Sequence, residues 1–266
     1  MTFSIINGDC LVEMAKMPDN SVDLIFCDLP YGTTACKWDT IIPFEPLWEQ
    51  YKRLIKKNGA IVLFGSQPFT SKLIMSNLEW FKYEWIWEKN RGTGIFNAKK
   101  MPLKSHENIL VFYQKQPTYN PQMTNGKPYI CKQGKQSDAF GQNTGKSITT
   151  INYGSRFPLS SQYFISTNGR NFHPTQKPVA LAEYIIKTYT NEGDLVLDNC
   201  MGSGTTLVAA ESLGRNSIGI ELSKEYCAIA RARLAHVHSG EATDMTEPTL
   251  TPLNNPQQPL APLTLF

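Results

Sequence analysis

The sequence predicts an α/β fold, in which helices cover the faces of a largely parallel sheet. Short apolar and β-branched runs alternate along the chain with segments of helical periodicity, which is the pattern of repeated strand–helix units. Two of the predicted strands end in turns rich in proline, glycine or polar residues, at Asp28–Gly32 and Asp198–Thr206. With 266 residues, 41% of them hydrophobic, the chain is long enough to bury one large core.

The individual elements follow from hydrophobic periodicity, taken in chain order. Strands are predicted at Phe3–Ile6, Val22–Cys27, Ala60–Phe64, Tyr83–Trp87, Glu107–Tyr113, Leu195–Asp198 and Ser217–Glu221. Helices are predicted at Leu11–Met17, about Glu45–Lys56, after Pro68, from Pro178 to about Thr188, from the glycine turn to about Leu213, and from Lys224 to about Ala235.

The composition divides the chain into four parts. From 114 to 172 it is rich in Gln, Asn, Gly, Thr and Tyr with little periodicity, which indicates a separate module or long insert. Beyond residue 239 it is rich in Pro, Thr and Gln and predicts a disordered tail. We therefore expect domain boundaries at 1–113, 114–172, 173–238 and 239–266.

Composition also excludes several classes of protein. The longest apolar stretch, Ala60–Phe64, is too short to span a membrane, and the first residues lack a basic region followed by an apolar one. The six cysteines form no C-x-x-C pair, so neither a disulfide framework nor a zinc site is indicated. We expect a cytoplasmic protein with no membrane association and no metal. Because the net charge is only +3, an interaction with nucleic acid depends on where the charge lies.

The segment 114–172 concentrates positive charge among aromatic residues, with Asp138 as its single acidic residue. Cations bind phosphates and rings stack on bases, so this pattern predicts a nucleic-acid surface; an ordinary solvated loop region is the alternative. The basic residues are Lys115, Lys127, Lys132, Lys135, Lys146, Arg156 and Arg170.

The turn at Asp198–Thr206 lies between a predicted buried strand and a helix, where open α/β sheets bind nucleotides. Gly202 and Gly204 allow close approach of a ligand, but Leu207 stands where a dinucleotide fingerprint needs glycine or alanine, and the Lys-Ser/Thr of a P-loop is absent. Glu221, at the end of the next strand, is placed to accept both ribose hydroxyls. This favours an adenosine cofactor without phosphates, such as S-adenosylmethionine, over a plain strand–helix turn.

The second turn, Asp28-Leu-Pro-Tyr31, sets a carboxylate, a main-chain carbonyl and an aromatic ring at the end of a buried strand. Two acceptors for the protons of an exocyclic base amine make that nitrogen more nucleophilic, and a ring can stack on a flipped base. An Asp-x-Pro turn with a buried tyrosine is the alternative for a tetrapeptide taken alone.

Together these motifs resemble the β-class amino methyltransferases of DNA, which methylate adenine N6 or cytosine N4. Asp28–Tyr31 resembles the catalytic D-P-P-Y motif of that family, and Leu197–Thr206 resembles its cofactor motif, D-P-F-x-G-S-G-T-T. The other similar segments are Asn7–Cys10, Ser105–Phe112, His173–Pro178 and Gly219–Glu221. The order of the motifs, catalytic first and cofactor second with a polar insert between them, is that of the β class.

The resemblance implies a Rossmann-like, S-adenosylmethionine-dependent fold with a mixed seven-stranded sheet in circularly permuted order and an inserted target-recognition region. It implies catalytic roles for Asp28, Leu29, Pro30 and Tyr31. It implies a cofactor site at Asp9, Cys10, Asp28, Thr175, Lys177, Asp198, Gly202, Ser203, Gly204, Thr205, Thr206 and Glu221. In the insert it implies DNA contacts at Lys127, Lys132, Lys135, Lys146, Arg156 and Arg170.

This sequence departs from the family pattern at two places. Leu29 replaces the first proline of D-P-P-Y, which keeps the main-chain carbonyl but removes a rigid ring. Asn199-Cys200 replaces the usual Pro-Phe beside the glycine turn, which removes an aromatic packing contact.

The target base and the partners follow from the same resemblance. An initial Asp in the catalytic motif favours adenine N6, while cytosine N4, a catalytically silent DNA-binding relative and methylation of RNA or a protein amide stay as alternatives. Double-stranded DNA is the expected partner, and dimers occur among the relatives. The segment Pro262–Phe266 resembles the Gln-Leu-x-Leu-Phe peptides that dock in bacterial sliding clamps, although Pro replaces Gln.

Overall fold

In the computed structural model, the described residues are 2–34, 36, 39–133, 148–166 and 176–239. The strands are β1 Phe3–Asn7, β2 Val22–Cys27, β3 Ile55–Gly65, β4 Phe81–Thr93, β5 Lys104–Phe112, β6 Thr124–Asn125, β7 Tyr129–Gln133, β8 Ile148–Asn152, β9 Ser155–Arg156, β10 Ser161–Tyr163, β11 Leu195–Asp198 and β12 Asn216–Glu221. The helices are α1 Cys10–Met14, α2 Phe44–Leu54, α3 Phe69–Ser76, α4 Val179–Tyr189, α5 Thr205–Ser212 and α6 Lys224–Ser239.

One mixed sheet of eight strands organises the fold, in the order β1-β12-β11-β2-β3-β5-β4-β10. All neighbouring pairs are parallel except those that β5 makes with β3 and β4. The first strand of the chain pairs with the last, and β2 pairs with β11, so the N-terminal strands complete the half that contains the C-terminal ones. The α/β class and the permuted mixed sheet are therefore confirmed.

The predicted count of seven strands was one too low. The additional strand, β10, pairs with β4 at the edge of the sheet and comes from within the predicted insert. It is three residues long and has one partner strand, so its sequence carries almost no periodic signal. The rest of the described insert forms two small antiparallel pairs, β6 with β9 and β7 with β8.

The core lies on both faces of the sheet. Side chains alternate along β2, so that Ile25 packs with α1, α2 and α3 on one face while Leu24 and Phe26 pack with α4 and α5 on the other. Helix α6 closes a third apolar cluster beside α5. Among the described residues, no helix is long and apolar enough to cross a membrane.

Candidate active site

The predicted site residues gather at one edge of the sheet. Strands β1, β12, β11 and β2 are successive parallel neighbours, so their carboxyl ends lie side by side. Asp198 and Glu221 end two of these strands, Asp28 directly follows β2, and Asp9 follows β1 by two residues. Four carboxylates separated by up to 212 positions are thus brought to a single edge, where open α/β sheets bind their ligands.

Asp28 is the end of a chain of alternating charges. Its Oδ1 accepts a hydrogen bond from Tyr31 Oη at 2.7 Å, and its Oδ2 accepts one from Lys177 Nζ at 2.6 Å. Lys177 Nζ also lies 3.3 Å from Glu107 Oε2, and Lys89 pairs with the other oxygen of Glu107. The structure therefore places Lys177, which the resemblance assigns to the cofactor site, against residues 28–34, here called the catalytic loop after its predicted role.

This charge chain sets the protonation behaviour of its members. Burial raises the pKa of Asp28 above its ordinary value, although the Lys177 ammonium and the Tyr31 hydroxyl act in the opposite direction. For Lys177, burial lowers the pKa, but Asp28 and Glu107 outweigh it and the pKa is raised. For Glu107, burial raises the pKa, but Lys177 and Lys89 outweigh it and the pKa is lowered. Lys177 thus stays an ammonium beside a carboxyl that binds a proton more readily than an exposed aspartate does.

Two features other than proline hold the catalytic loop. The Leu29 side chain is buried in the core, so packing replaces the rigidity that the missing ring supplies in the family motif. The Asp39 carboxylate accepts three backbone N–H bonds, from Gly32 at 2.8 Å, Thr33 at 2.9 Å and Thr34 at 2.7 Å. Burial raises the pKa of Asp39, but the hydrogen bonds from Thr34, Gly32 and Thr33 together outweigh burial. The pKa of Asp39 is therefore lowered from its ordinary value. Sequence reasoning missed Asp39, since nothing in its flanking residues marks it as a loop clamp.

The Tyr31 ring has one face already packed. It stacks on Phe69 at 4.9 Å between centroids with an interplanar angle of 24°, and Lys177 Nζ lies 5.8 Å from its centroid. The base stacking predicted for Tyr31 is therefore restricted to the opposite face of this ring. Pro30, between Leu29 and Tyr31, is partly buried.

The glycine turn is held from behind by a buried arginine. Gly202 and Gly204 adopt φ angles of 51° and 82°, and a Cβ at Gly204 would lie 2.7 Å from Ala230 Cβ, so glycine is required there. Arg233 of α6 donates hydrogen bonds to Ser203 O at 2.8 Å, to Ser203 Oγ at 3.1 Å and to Thr205 Oγ1 at 3.2 Å. Sequence reasoning missed Arg233. The one signal in the sequence is helical spacing, because Arg233 lies three residues after Ala230 and four before Val237 and so shares their face of α6.

Three carboxylates lie at this edge of the sheet, and two of them, Glu221 and Asp198, bond to the turn. Glu221 accepts hydrogen bonds from Gly202 N at 3.0 Å and from Ser223 N at 2.8 Å, one on each oxygen. Asp198 Oδ1 accepts one from Cys200 N at 3.1 Å, and the Thr206 hydroxyl also bonds to this carboxyl. Asp9 caps α1 through Oδ1, which accepts Leu11 N at 2.9 Å and Val12 N at 3.1 Å. This set suits hydroxyl, amine and cationic groups and repels phosphate, so it fits S-adenosylmethionine.

The residues that replace the family's Pro-Phe are built into the core below the turn. Asn199 is buried, and its Oδ1 accepts a hydrogen bond from Tyr51 Oη of α2 at 2.6 Å. The thiols of Cys10 and Cys200 hydrogen-bond each other, and this contact together with burial raises the pKa of Cys10 well above its ordinary value. Burial likewise raises the pKa of Cys27 to about 12. The substituted segment therefore presents one thiol, bonded to Cys10, and an anchored amide in place of an aromatic ring.

The structure describes three of the six basic residues that were predicted to contact DNA. Lys127 and Lys132 are exposed, while Arg156 donates hydrogen bonds to Asn152 Oδ1 and Lys127 O and lies 4.8 Å from the Tyr129 ring centroid. Arg156 thus braces the two small β pairs, and the DNA contacts of all three stay predictions. The predicted residues that lie outside the described part are Lys135, Lys146, Arg170, Thr175 and the segment Pro262–Phe266.

Asp198 makes stability depend on pH. Burial raises the pKa of Asp198 from 3.8 to about 6, although the Thr206 hydroxyl and the Cys200 N–H lower it. Because the folded state binds this proton more tightly than the unfolded state, stability falls as pH rises from about 4 to about 6. We expect Asp198→Asn to remove this contribution, so that wild type loses about 3 kcal/mol relative to the variant over that window.

Urea unfolding of wild type and Asp198→Asn at a series of pH values measures the difference. The charge of Asp28 helps to raise the pKa of Asp198, so the same pair is also compared in an Asp28→Asn background. Parallel stability curves for the two proteins would contradict the expected role of the Asp198 proton.

Comparisons with known proteins agree on the class of enzyme. The N6/N4 methyltransferase family model, described as DNA methylase, matches residues 22–232. The Type II methyltransferase M.HpaI of Haemophilus parainfluenzae is 30% identical over 251 residues, which are 89% of this chain and 75% of M.HpaI.

Solved structures show the same likeness. The M1.HpyAVI–SAM complex superimposes with a TM-score of 0.61 at 27% identity, over 87% of this chain and 100% of that chain. The cytosine-N4-specific PvuII DNA methyltransferase superimposes with a TM-score of 0.64 over 88% of this chain and 86% of that one. At 15% identity, the PvuII likeness concerns the fold alone.

Proposed function

The chain belongs to the N6/N4 DNA methylase family, and we propose that it methylates the N6 amine of adenine at a specific site in duplex DNA. Its cofactor is S-adenosylmethionine, the molecule bound in the M1.HpyAVI complex. The observation that carries the proposal is Asp28, held by Tyr31 and Lys177 at the sheet edge next to the glycine turn. An Asp at the first position of this loop resembles adenine enzymes, whereas cytosine-N4 enzymes typically have Ser there.

The cofactor's groups match the residues around the glycine turn. Each Glu221 oxygen accepts one backbone N–H and retains a lone pair, so the pair can accept both ribose hydroxyls. Asp9 is assigned to the adenine amine, and Gly202–Thr206 to the methionine end. When bound, S-adenosylmethionine supplies an electrophilic methyl group on a cationic sulfur. Asp198 adds negative charge near this cation, which favours binding.

The catalytic loop activates the target amine. Asp28 and the Leu29 main-chain carbonyl accept its two protons, which directs the nitrogen lone pair toward the methyl group. The new N–C bond would form as the methyl–sulfur bond breaks and leaves a neutral thioether, and the nitrogen must then lose one proton. Asp28 is suited to receive it because burial raises the pKa of this carboxyl. Lys177 stays protonated and holds Asp28 Oδ2 in place. We expect most of the rate enhancement to come from such positioning of the reacting groups.

The test of the proposal is methylation of unmodified duplex DNA with S-adenosylmethionine, followed by nucleoside mass spectrometry. We expect N6-methyladenine. N4-methylcytosine would overturn the base assignment and keep the Asp28 chemistry. Cofactor binding without any methylated base would favour a silent DNA-binding protein, and cofactor turnover without DNA would favour an RNA or protein-amide substrate.

Glu221 provides a separate test of the cofactor site. We expect Glu221→Gln to weaken S-adenosylmethionine binding by about 10- to 100-fold, because a carboxylate accepts charge-assisted bonds at both oxygens and an amide accepts at one. Isothermal titration calorimetry measures the dissociation constant. Glu225→Gln, an exposed change in the first turn of α6, is the matched control. Equal affinity in the two variants would exclude Glu221 from the ribose site.

A methyltransferase of this class works on chromosomal DNA within a restriction-modification system, so we place it in the cytoplasm. Homodimerisation and docking of Pro262–Phe266 on a sliding clamp stay predictions, tested by sedimentation and by clamp pull-down with and without the last five residues.

A further inference from the structure

A hairpin tip projects beyond the edge of the sheet that carries the active site. Strand β4 is parallel to β10 and continues to Thr93, where it turns and returns as β5. Because β5 is antiparallel to both β3 and β4, the carboxyl end of β4 lies at the same edge as the carboxyl ends of β3 and β2. Residues 91–103, here called the hairpin tip, are all exposed at this edge.

The hairpin tip presents apolar side chains to solvent on an ordered turn. Phe96 is 98% exposed, Ile95 66% and Met101 57%. Asn97 N donates to Gly94 O at 2.9 Å, and Asn97 O in turn accepts Lys100 N at 2.8 Å and Met101 N at 3.0 Å. An aromatic ring held this far out of the core by a hydrogen-bonded turn indicates a contact with another molecule.

The same segment is strongly basic. Between Glu88 and Glu107 the chain has five cations and no acidic residue. Lys89 is paired with Glu107, while the remaining four lie at or beside the tip. They are Arg91, Lys99, Lys100 and Lys104. Apolar and aromatic side chains among cations match a polyanion with stackable bases, and they do not match an apolar protein surface.

The base of the hairpin is tied to the catalytic loop. Lys89 on β4 pairs with Glu107 on β5, and Glu107 faces Lys177, which binds Asp28. The base of the hairpin is therefore linked to the catalytic loop by a short chain of partly buried ion pairs.

We propose that the hairpin tip docks on duplex DNA, with Lys99 and Lys100 on backbone phosphates and Phe96, flanked by Ile95, entering the base stack beside the flipped nucleotide. The inserted ring replaces stacking lost when the target base leaves the helix, so it lowers the free energy of flipping. This contact lies outside the predicted recognition insert. The flipping part rests on the proposed function, while the phosphate part does not.

The phosphate contacts are tested with a fluorescent duplex of arbitrary sequence at several salt concentrations. We expect Lys99→Ala/Lys100→Ala to reduce the slope of log Kd against log salt by about 2, since each phosphate contact contributes about 0.9. The control, Lys57→Ala/Lys82→Ala, removes the same charge at the opposite edge of the sheet and should leave the slope unchanged. Equal slopes in the two double variants would overturn the docking proposal.

The wedge is tested with Phe96→Ala and, as control, Leu78→Ala, which is 58% exposed just before β4. Once sequencing of methylated DNA gives the site, single-turnover rates are measured on a matched duplex and on one with a mismatch at the target base. We expect Phe96→Ala to lose about 10-fold on the matched duplex and to recover on the mismatch, where flipping costs less. A loss that the mismatch does not restore, or no loss, would overturn the wedge.

The outcomes separate this inference from the proposed function. If the protein methylates no DNA, the proposed function fails while the salt slopes still report on the hairpin tip. If methylation occurs and the tip variants behave as their controls, the inference alone fails. Variants that convert a dimer into a monomer in sedimentation, with an unchanged salt slope, would assign the tip to self-association and overturn the proposal.

Discussion

Asp28→Ala is expected to abolish methyl transfer while S-adenosylmethionine binding stays measurable. The substitution removes the carboxylate that accepts a proton from the target amine, and we expect the turnover rate to fall by about 10³-fold or more. The glycine turn is held by bonds to Asp198, Glu221 and Arg233, so the part of the cofactor site that does not include Asp28 and Lys177 should survive. Lys177 retains Glu107 as an ion-pair partner, which limits the loss of stability.

Transfer of a tritiated methyl group to DNA measures the loss of activity. Calorimetry measures the dissociation constant of the cofactor. Asp28→Asn keeps the shape of the side chain and one acceptor oxygen for Tyr31, so equal inactivity of the two variants assigns the loss to the carboxylate charge. Asp19→Ala, an exposed change whose carboxylate pairs with Arg53, is the control for removal of an aspartate. Turnover by Asp28→Ala near the wild-type rate would remove Asp28 from the mechanism.

The elements best predicted from sequence are those whose ends coincide with changes of polarity. The strands Val22–Cys27 and Leu195–Asp198 were predicted with the bounds that the structure has, because each is an apolar run closed by a turn. Strand β4 was predicted as Tyr83–Trp87 and extends from Phe81 to Thr93. Beyond Trp87 it leaves the core, where Glu88 still pairs with Tyr163 of β10 and with His106 of β5, so polar residues continue the strand without a hydrophobic pattern.

The sequence predicts which residues form the site better than it predicts which of their side chains contact one another. The motifs indicated that Asp28, Asp198 and Glu221 belong to one region, and the parallel strand order brings them together. The sequence places Lys177 in the predicted cofactor site, but it does not indicate the ion pair with Asp28, which joins residues 149 positions apart. A sequence motif records which side chains a family uses, but the pairing of side chains from distant elements depends on tertiary packing.

Lys177→Met is expected to be the most destabilising of the single changes considered. It leaves Asp28 and Glu107 as buried carboxylates with Lys89 as their remaining cation, and loss of one member of a buried ion pair costs about 3–5 kcal/mol. Without the ammonium the pKa of each carboxyl in the folded state rises. The deficit is therefore largest above that raised pKa and shrinks as pH falls through it, when the carboxyls take up protons.

A double-mutant cycle with Glu107→Gln tests whether the charge chain acts as a unit. Removing Glu107 alone leaves two ammonium groups facing one carboxylate, whereas removing it together with Lys177 takes away one charge of each sign. We therefore expect Lys177→Met/Glu107→Gln to be more stable than the sum of the single changes indicates, by about 1–3 kcal/mol in urea unfolding. Lys177→Arg, which keeps the positive charge, is the control for loss of packing around the ammonium. Strict additivity of the two single changes would mean that Lys177 binds Asp28 independently of Glu107, and that the base of the hairpin is not energetically coupled to the catalytic loop.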